Sequence, residues 1–260
     1  MFANFYQDWR VLVHKGRIGT MENTDRLIVA LDVPTTEQAI NVVDSLGDLV
    51  QYYKVGMEAF YGMGHAVLAQ IAGRGKKPFL DLKLHDIPTT VARTVTTLCQ
   101  FSPAFLTLHA AGGSNMLKAA IGAAEDWAGK TSQPRPKLLA ITVLTSIGER
   151  DWVEIGYQSP IRESVLRMSV MCKEEGLDGV VASPREAAAI RALCGPDFLI
   201  VTPGIRLVPE EQGDQMRIAT PSQALKVGAN YLVVGRPIVA ADNPREVVAS
   251  ILNDMKASGQ

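Results

Sequence analysis

The sequence is poor in the residues that build several common kinds of site. It contains three cysteines among 260 residues, and they form neither a CxxC pair nor a cluster with histidine. Cys99, Cys172 and Cys194 therefore predict buried, reduced thiols in a cytoplasmic protein rather than a disulfide framework. Lysine and arginine number 26 against 27 aspartates and glutamates, so the basic excess typical of a nucleic-acid-binding surface is missing.

Long apolar runs and nucleotide-cofactor motifs are also missing. No stretch approaches the ~20 apolar residues that a membrane-spanning helix needs, so we expect no membrane association. No GxGxxG follows the first apolar run, and no GxxxxGK[ST] occurs anywhere in the chain. The sequence therefore gives no sign of a bound dinucleotide or of a Walker-type phosphate loop, and we expect no cofactor.

The first twenty residues differ in composition from the rest. They mix four aromatic residues with basic ones and have no continuous apolar stretch, which argues against a secretory signal. Met21 directly precedes the segment that leads into the first apolar run. We expect Met21 to be the natural start, 1–20 to be an N-terminal extension and 21–260 to form the folded domain. An accessory helix at 1–20 is the alternative, and deletion of the segment would decide.

From Arg26 onward, short apolar runs of strand length alternate with helical stretches. Pro88, Pro184, Pro221 and Pro244 stand at helix starts, where a missing N–H costs little. Eight strands that are each followed by a helical stretch predict a single-domain α/β fold, the (β/α)8 or TIM barrel, rather than an open sheet. The strand candidates are 27–32, 52–55, 78–83, 105–109, 138–143, 179–182, 198–202 and 231–234, and helix candidates include 36–46, 89–99, 115–127, 160–175, 185–193 and 221–227.

The run 79–88 places charge where a buried strand should be apolar. With a strand's two-residue period, Asp81 and Lys83 share one face and the leucines at 80, 82 and 84 share the other. Buried ionised groups are costly unless they pair or take part in chemistry. Asp86 follows, and nearby carboxylates favour the ammonium form of a lysine. Lys83 is therefore a candidate proton donor, and a structural ion pair is the alternative.

Other polar residues stand at or just beyond the carboxyl ends of predicted strands, where barrel enzymes carry their active sites. Gly235 and Arg236 follow the eighth strand, the usual phosphate position of a barrel. Glycine lets the backbone approach a phosphate, and a guanidinium can hold two of its oxygens. The remaining candidates of this kind are Asp32, Lys54, Thr145 and Arg206.

Five segments carry a family resemblance, in this order: 27–32, 52–56, 81–88, 201–206 and 231–237. Together they resemble orotidine 5′-phosphate decarboxylase, a family of pyrimidine nucleotide synthesis, over nearly the whole chain from Arg26 to Leu252. The Asp81-x-Lys83-x-x-Asp86 core alone is shared with sugar-phosphate decarboxylases. His85, Ile87, Pro88, the Gly-Ile-Arg segment and the late Gly-Arg-Pro make the resemblance more specific.

The resemblance implies a role for each matching residue. Asp32 and Lys54 contact the ribose, Thr145 the pyrimidine, and Arg206 and Gln215 the substrate, with Gln215 reaching both phosphate and base. The polar segment around 203–217 suits a lid that closes over the substrate. Ile87 is also expected at the substrate. Asp86 and Thr90 are implied to reach the site of a partner subunit, so that Lys54, Asp81, Lys83 and the partner's Asp86 form one charge network in a homodimer.

The implied reaction converts orotidine 5′-phosphate to uridine 5′-phosphate and leaves a carbanion with no adjacent electron sink. With no cofactor expected, the protein must stabilise that charge electrostatically and protonate it, and Lys83 is the candidate donor. Asp81 would orient Lys83 and crowd the substrate carboxylate. His85 and His109 lie near strand ends, but the neighbouring lysines make a divalent cation unwelcome, so no metal is expected and His109 is interpreted as structural.

Three alternatives remain open at this point. A hexulose-phosphate synthase or keto sugar-phosphate decarboxylase shares the Asp-x-Lys-x-x-Asp core but needs Mg²⁺. A sugar-phosphate epimerase or isomerase needs an acid and a base on opposite faces, which the lysine-rich centre fits poorly. A catalytically silent nucleotide-binding protein is the third, and it has no need for so costly a charge cluster.

Overall fold

The computed structural model describes residues 22–207 and 218–257. Eight parallel strands pair in chain order and close on themselves, with β1 hydrogen-bonded to β8. This arrangement confirms the predicted barrel. The strands are β1 (Leu27–Ala30), β2 (Tyr52–Gly56), β3 (Lys77–Leu84), β4 (Phe105–His109), β5 (Lys137–Ile141), β6 (Gly179–Val181), β7 (Leu199–Thr202) and β8 (Tyr231–Val234).

Helices follow the strands and cover the outside of the barrel. Those within the described residues are α1 (Asn23–Arg26), α2 (Thr36–Leu46), α3 (Met57–Met63), α4 (Ala66–Gly73), α5 (Pro88–Cys99), α6 (Gly113–Thr131), α7 (Glu149–Glu154), α8 (Ile161–Glu174), α9 (Pro184–Cys194), α10 (Pro221–Lys226), α11 (Arg236–Val239) and α12 (Pro244–Lys256). Short 3₁₀ turns occupy Gly47–Leu49 and Ala110–Gly112. None of these helices is long and apolar enough to cross a membrane.

Most predicted boundaries lie within two residues of the observed ones, although the helix predicted at 115–127 extends over Gly113–Thr131. The strands 105–109 and 231–234 and the helix 36–46 are reproduced without change. The runs 27–32 and 138–143 were predicted two residues too long, since β1 ends at Ala30 and β5 at Ile141. Leu31 and Val143 lie beyond the ladder but remain buried, so an apolar pattern continues after regular pairing has stopped.

The core has two layers, one between strands and helices and one inside the barrel. The inner layer closes the amino-terminal half of the barrel with Tyr52, Phe105 and Tyr231, whose ring centroids lie 5.0 to 5.6 Å apart. The barrel is therefore a filled core at this end.

The three cysteines lie buried as free thiols, as predicted. Burial raises the pKa of Cys99 to about 11 and that of Cys172 to about 12, which keeps both thiols protonated. The prediction of an extension at 1–20 concerns residues outside the described part of the chain, and it stays a prediction.

Candidate active site

A cavity of about 400 Å³ opens at the carboxyl-terminal end of the barrel. Strand ends from around the barrel contribute to it, which is the expected place for a barrel active site. Eight of the residues predicted from the sequence line this one cavity, namely Asp32, Lys54, Asp81, Lys83, Thr145, Arg206, Gly235 and Arg236.

Asp81 is the centre of the polar network at one side of the cavity. Its Oδ2 lies 2.9 Å from Lys83 Nζ and 3.5 Å from Lys54 Nζ. Lys54 Nζ in turn lies 3.1 Å from Asp32 Oδ1. The four side chains therefore form a chain of alternating charge, Asp32–Lys54–Asp81–Lys83, that joins β1, β2 and β3 at the mouth of the barrel.

The charge of Asp81 is maintained by its neighbours. Asp81 is 8% exposed, and burial alone would raise its pKa. Lys54 and Lys83 act in the opposite direction, as do hydrogen bonds from Lys83 and Thr107, and the pKa of Asp81 falls below its ordinary value. Asp81 is therefore a carboxylate at neutral pH, and it holds two ammonium groups close together.

Thr107 on β4 is a residue of this network that the sequence analysis missed. Its Oγ1 lies 3.0 Å from Asp81 Oδ1 and 2.9 Å from the backbone nitrogen of Lys83. A signal was available, because Thr107 is a polar residue between Leu106 and Leu108 in a strand that is otherwise apolar up to His109.

Arginines and glycines form another side of the cavity. Arg206 follows β7 and is 9% exposed, and its Nη1 donates to Ile205 O at 2.8 Å. Gly235 and Arg236 follow β8 directly. A Cβ at Gly235 would lie 3.3 Å from Ala30 Cβ, tighter than ordinary contact. Glycine therefore keeps the junction of β8 and β1 open beside the arginine.

Apolar side chains complete the lining. They come from the inward positions of β3, β5, β6, β7 and β8 and from the segment after β5, and the sequence analysis did not single them out as site residues. Their strand positions were predicted, but an apolar residue near a strand end gives no sign of whether it meets a ligand or a helix. They include Phe79, Ile141, Val143, Val181, Val201 and Val233.

Four other predicted site residues are not placed in this cavity. Asp86, Ile87 and Thr90 lie on the exposed surface where β3 leads into α5, and Ile87 is 67% exposed. Asp86 Oδ1 accepts a hydrogen bond from the backbone nitrogen of Ile87 at 2.6 Å. Gln215 falls outside the described residues.

The histidines at the strand ends lie beside the charge network. The rings of His85 and His109 are 5.2 Å apart between centroids. Burial, His85 and Lys83 lower the pKa of His109 and outweigh the opposite influence of Asp81. Within 22–207 and 218–257, no group of three or more histidine, cysteine, aspartate or glutamate side chains could hold a metal ion.

Comparisons with known proteins agree with the resemblance seen in the motifs. The family model described as "Orotidine 5'-phosphate decarboxylase / HUMPS family" matches residues 25–251. The orotidine 5′-phosphate decarboxylase of Moorella thermoacetica is 44% identical over 237 residues, which cover 91% of this chain and 94% of the relative. The enzyme of that name from a Nostoc species is 47% identical over 223 residues, covering 85% of this chain and 93% of the relative.

A solved structure extends the comparison to three dimensions. The crystal structure of orotidine 5′-phosphate decarboxylase from Lactobacillus acidophilus has a TM-score of 0.78 and 40% sequence identity, covering 88% of this chain and 98% of that one. The family model takes in most of the barrel, and each of these relatives exceeds 30% identity over most of its length. The chain therefore belongs to the orotidine 5′-phosphate decarboxylase / HUMPS family.

Proposed function

We propose that this protein decarboxylates orotidine 5′-phosphate to uridine 5′-phosphate without a cofactor, with Lys83 as the proton donor. The observation that carries the proposal is the alternating network Asp32–Lys54–Asp81–Lys83 at the mouth of the barrel. The relatives named above bear the name of this activity. The buried free thiols suit the cytoplasmic location that we propose with it.

The lining of the cavity supports the assignment of the three parts of the substrate. Arg206 and Arg236, with Gly235, suit the dianionic phosphate, because guanidinium groups bind phosphate oxygens in pairs. Asp32 and Lys54 offer an acceptor and a donor for ribose hydroxyls. Thr145 and the apolar strand residues suit the flat pyrimidine, and we place Gln215 at the phosphate and the base through the family resemblance.

The chemistry follows from the charges beside Asp81. The bond between the ring carbon and its carboxylate breaks, carbon dioxide leaves, and the electron pair stays on the ring carbon. Two ammonium groups near Asp81 favour that negative charge in the transition state. Lys83 then gives its proton to the carbanion and recovers one from solvent. Binding energy from the remote phosphate can be used to align these groups.

We also propose that the working enzyme is a homodimer in which Asp86 and Thr90 complete the partner subunit's site. Both residues are exposed, and neither lines the cavity of its own chain. Ile87, between them, is a large apolar residue with most of its surface open. A surface of this kind suits contact with a second copy of the chain. Such a contact would explain why Asp86 and Thr90 lie outside the cavity of their own chain.

The three alternative functions fit the cavity less well. A hexulose-phosphate synthase needs Mg²⁺, but here Lys54 and Lys83 both contact the carboxylate of Asp81 and would repel a divalent cation. An epimerase or isomerase needs an acid and a base on opposite faces of its substrate, whereas these charges lie together at one side of the cavity. A silent nucleotide-binding protein would gain nothing from a buried carboxylate between two lysines.

The decisive experiment follows the absorbance of orotidine 5′-phosphate after addition of purified protein in excess EDTA. We expect the absorbance of the substrate to fall at the same rate with and without the chelator. A rate that disappears with EDTA would refute a metal-independent reaction. No fall in absorbance even with added Mg²⁺ would favour the sugar-phosphate alternatives, and tight binding of uridine 5′-phosphate without turnover would favour the silent one.

Lys83→Ala belongs in the same assay. Removal of a positioned general acid costs about 10² to 10⁴-fold in rate, and loss of its ammonium charge adds to that. We therefore expect turnover to fall by at least about 10³-fold. A folded Lys83→Ala protein that keeps a tenth or more of the wild-type kcat would remove Lys83 from the role of proton donor.

A further inference from the structure

The hydroxyl of Thr107 connects the two residues on which the proposed reaction depends. Its Oγ1 lies 3.0 Å from Asp81 Oδ1 and 2.9 Å from the backbone nitrogen of Lys83. Thr107 is fully buried at 0% exposure and does not line the cavity. It therefore acts on Asp81 and Lys83 rather than on a ligand.

The direction of both hydrogen bonds is fixed by their partners. A backbone N–H can only donate, so Thr107 Oγ1 accepts from Lys83. An ionised carboxylate can only accept, so the Thr107 hydroxyl proton points at Asp81 Oδ1. The Lys83 N–H therefore donates to Thr107 Oγ1, and the Thr107 hydroxyl donates to the Asp81 carboxylate. The side chain has no surface exposed to bulk solvent.

The backbone around Lys83 explains why a side chain is needed at this point. Leu80 pairs with Leu106 and Leu84 pairs with Leu108, so residues 81–83 of β3 face the single residue Thr107 of β4. Within this bulge, Lys83 has φ of 53°, the left-handed region that side chains other than glycine seldom adopt. The Thr107 hydroxyl gives the Lys83 N–H an acceptor in the irregular stretch.

We infer that Thr107 is a positioning residue. It holds the bulged backbone of Lys83 and the carboxylate of Asp81 so that Lys83 Nζ can donate its hydrogen bond to Asp81 Oδ2. The inference rests on the proposed roles of Asp81 and Lys83. Asp81 Oδ2 contacts the ammonium groups of both lysines, and Asp81 Oδ1 accepts the hydrogen bond from Thr107. Loss of the hydroxyl frees Oδ1 and the Lys83 N–H at once, so the carboxylate plane and the backbone of Lys83 are both released.

The test compares Thr107→Val, which keeps the shape and removes the hydroxyl, with Thr107→Ser, which keeps the hydroxyl. We expect Thr107→Val to lower kcat on the order of 10- to 100-fold, the range for loss of one hydrogen bond to a charged group. KM for orotidine 5′-phosphate should stay unchanged, since Thr107 does not meet the substrate. The acid limb of the plot of kcat against pH should move to higher pH. Loss of a hydrogen bond to the ionised form of Asp81 raises the pKa of that carboxyl group.

Thr107→Ser should restore most of the wild-type kcat and return the acid limb to its place. Thr202→Val is the matched control, since Thr202 is equally buried on β7 and its Oγ1 has no hydrogen-bond partner among the residues that the structure describes. Thr202→Val should keep the wild-type kcat and pH profile. A general effect of replacing a buried barrel threonine would instead appear in both variants.

Two results would overturn the inference. One is a folded Thr107→Val enzyme with wild-type kcat and acid limb, and the other is a Thr107→Ser enzyme as impaired as Thr107→Val. If Thr107→Val does not fold, hydrogen exchange of the Lys83 amide in the wild-type enzyme decides. Protection supports the bond, and exchange at the rate of an unbonded loop amide contradicts it.

Lys83→Ala separates this inference from the proposed function. An active Lys83→Ala enzyme would refute the role of Lys83 itself. An inactive Lys83→Ala enzyme together with an unimpaired Thr107→Val enzyme would refute only the role of Thr107.

Discussion

Asp81 and Lys83 are joined by a hydrogen bond of 2.9 Å between their side chains, although they stand only two positions apart on one strand. Such residues share a face of a regular strand but are separated by roughly 6.5 Å along it. Here the strand is bulged between Leu80 and Leu84, and Lys83 takes a left-handed backbone conformation. The strained backbone and the short contact belong to the same local structure.

The left-handed conformation of Lys83 predicts a difference between two inactive variants. Lys83→Gly and Lys83→Ala both remove the ammonium group, but only glycine adopts a positive φ without a steric cost. Lys83→Gly should therefore be the more stable of the two by about 1 kcal/mol. Urea unfolding followed by circular dichroism measures this difference. Equal midpoints would show that the backbone at residue 83 relaxes when the side chain is removed.

Arg236 should act through the phosphate. Arg236→Ala removes a guanidinium from the cavity and should lower kcat/KM by at least about tenfold, as loss of a hydrogen bond to a charged group does. Arg236→Lys keeps the charge but loses the two-pronged geometry, so its defect should be smaller but measurable. Steady-state kinetics with orotidine 5′-phosphate provide the check.

Arg162→Ala is the control for Arg236, since Arg162 is an exposed arginine on α8 that does not line the cavity. It should leave kcat/KM unchanged. An Arg236→Ala enzyme that resembles Arg162→Ala in this assay would exclude Arg236 from phosphate recognition.

The lowered pKa of Asp81 predicts how stability depends on acid. A carboxyl group whose pKa is lower in the folded state than in the unfolded chain stabilises the fold above its unfolded pKa of about 3.9. That contribution is lost as pH falls through the lower, folded pKa. Urea unfolding from neutral pH down through this window should therefore show a smaller loss of stability in Asp81→Asn than in the wild type.

Asp81→Asn should also be less stable than the wild type at neutral pH, because two ammonium groups lose their shared carboxylate. Glu163→Gln on the exposed surface of α8 is the control and should follow the wild-type curve. If Asp81→Asn and the wild type lose stability in parallel on acidification, Asp81 does not govern this part of the acid response.

The proposed sharing of sites predicts complementation between two inactive proteins. Asp81→Ala and Asp86→Ala homodimers should each be nearly inactive, because every site lacks one carboxylate. When subunits exchange, a mixed dimer contains one site with both aspartates and one with neither. Random pairing makes about half of the dimers mixed, so about a quarter of all sites should recover.

Subunit exchange must be shown independently, for example by mixing tagged and untagged chains and checking the dimers by size and tag. Tagged Asp81→Ala mixed with untagged Asp81→Ala is the control, and this mixture should recover no activity. If exchange is complete and the mixture of the two variants stays as inactive as its parents, Asp86 does not act across the interface.

The strand candidates, the barrel and most of the charged and polar lining of the cavity could be predicted from the sequence because each rests on a local pattern. Alternating apolar and helical stretches gave the order of the elements, and a barrel brings all strand ends to one face. Lys54, Asp81 and Arg236 could therefore be assigned to one site from their positions at strand ends alone. Thr145 and Arg206 were candidates on the same ground, and the family resemblance added the substrate contacts expected of them.

Thr107 and the bulge at Lys83 were decided only by the tertiary structure. The sequence shows a polar residue in an apolar strand, but threonine is also a common β-branched strand residue, and its hydroxyl becomes part of the site only because β4 lies beside β3. Nothing in the local sequence sets the register of that pair, in which three residues face one. The order of the strands and the positions of polar residues can be predicted from the sequence. A register shift depends on how two neighbouring strands pair, so only the tertiary structure determines it.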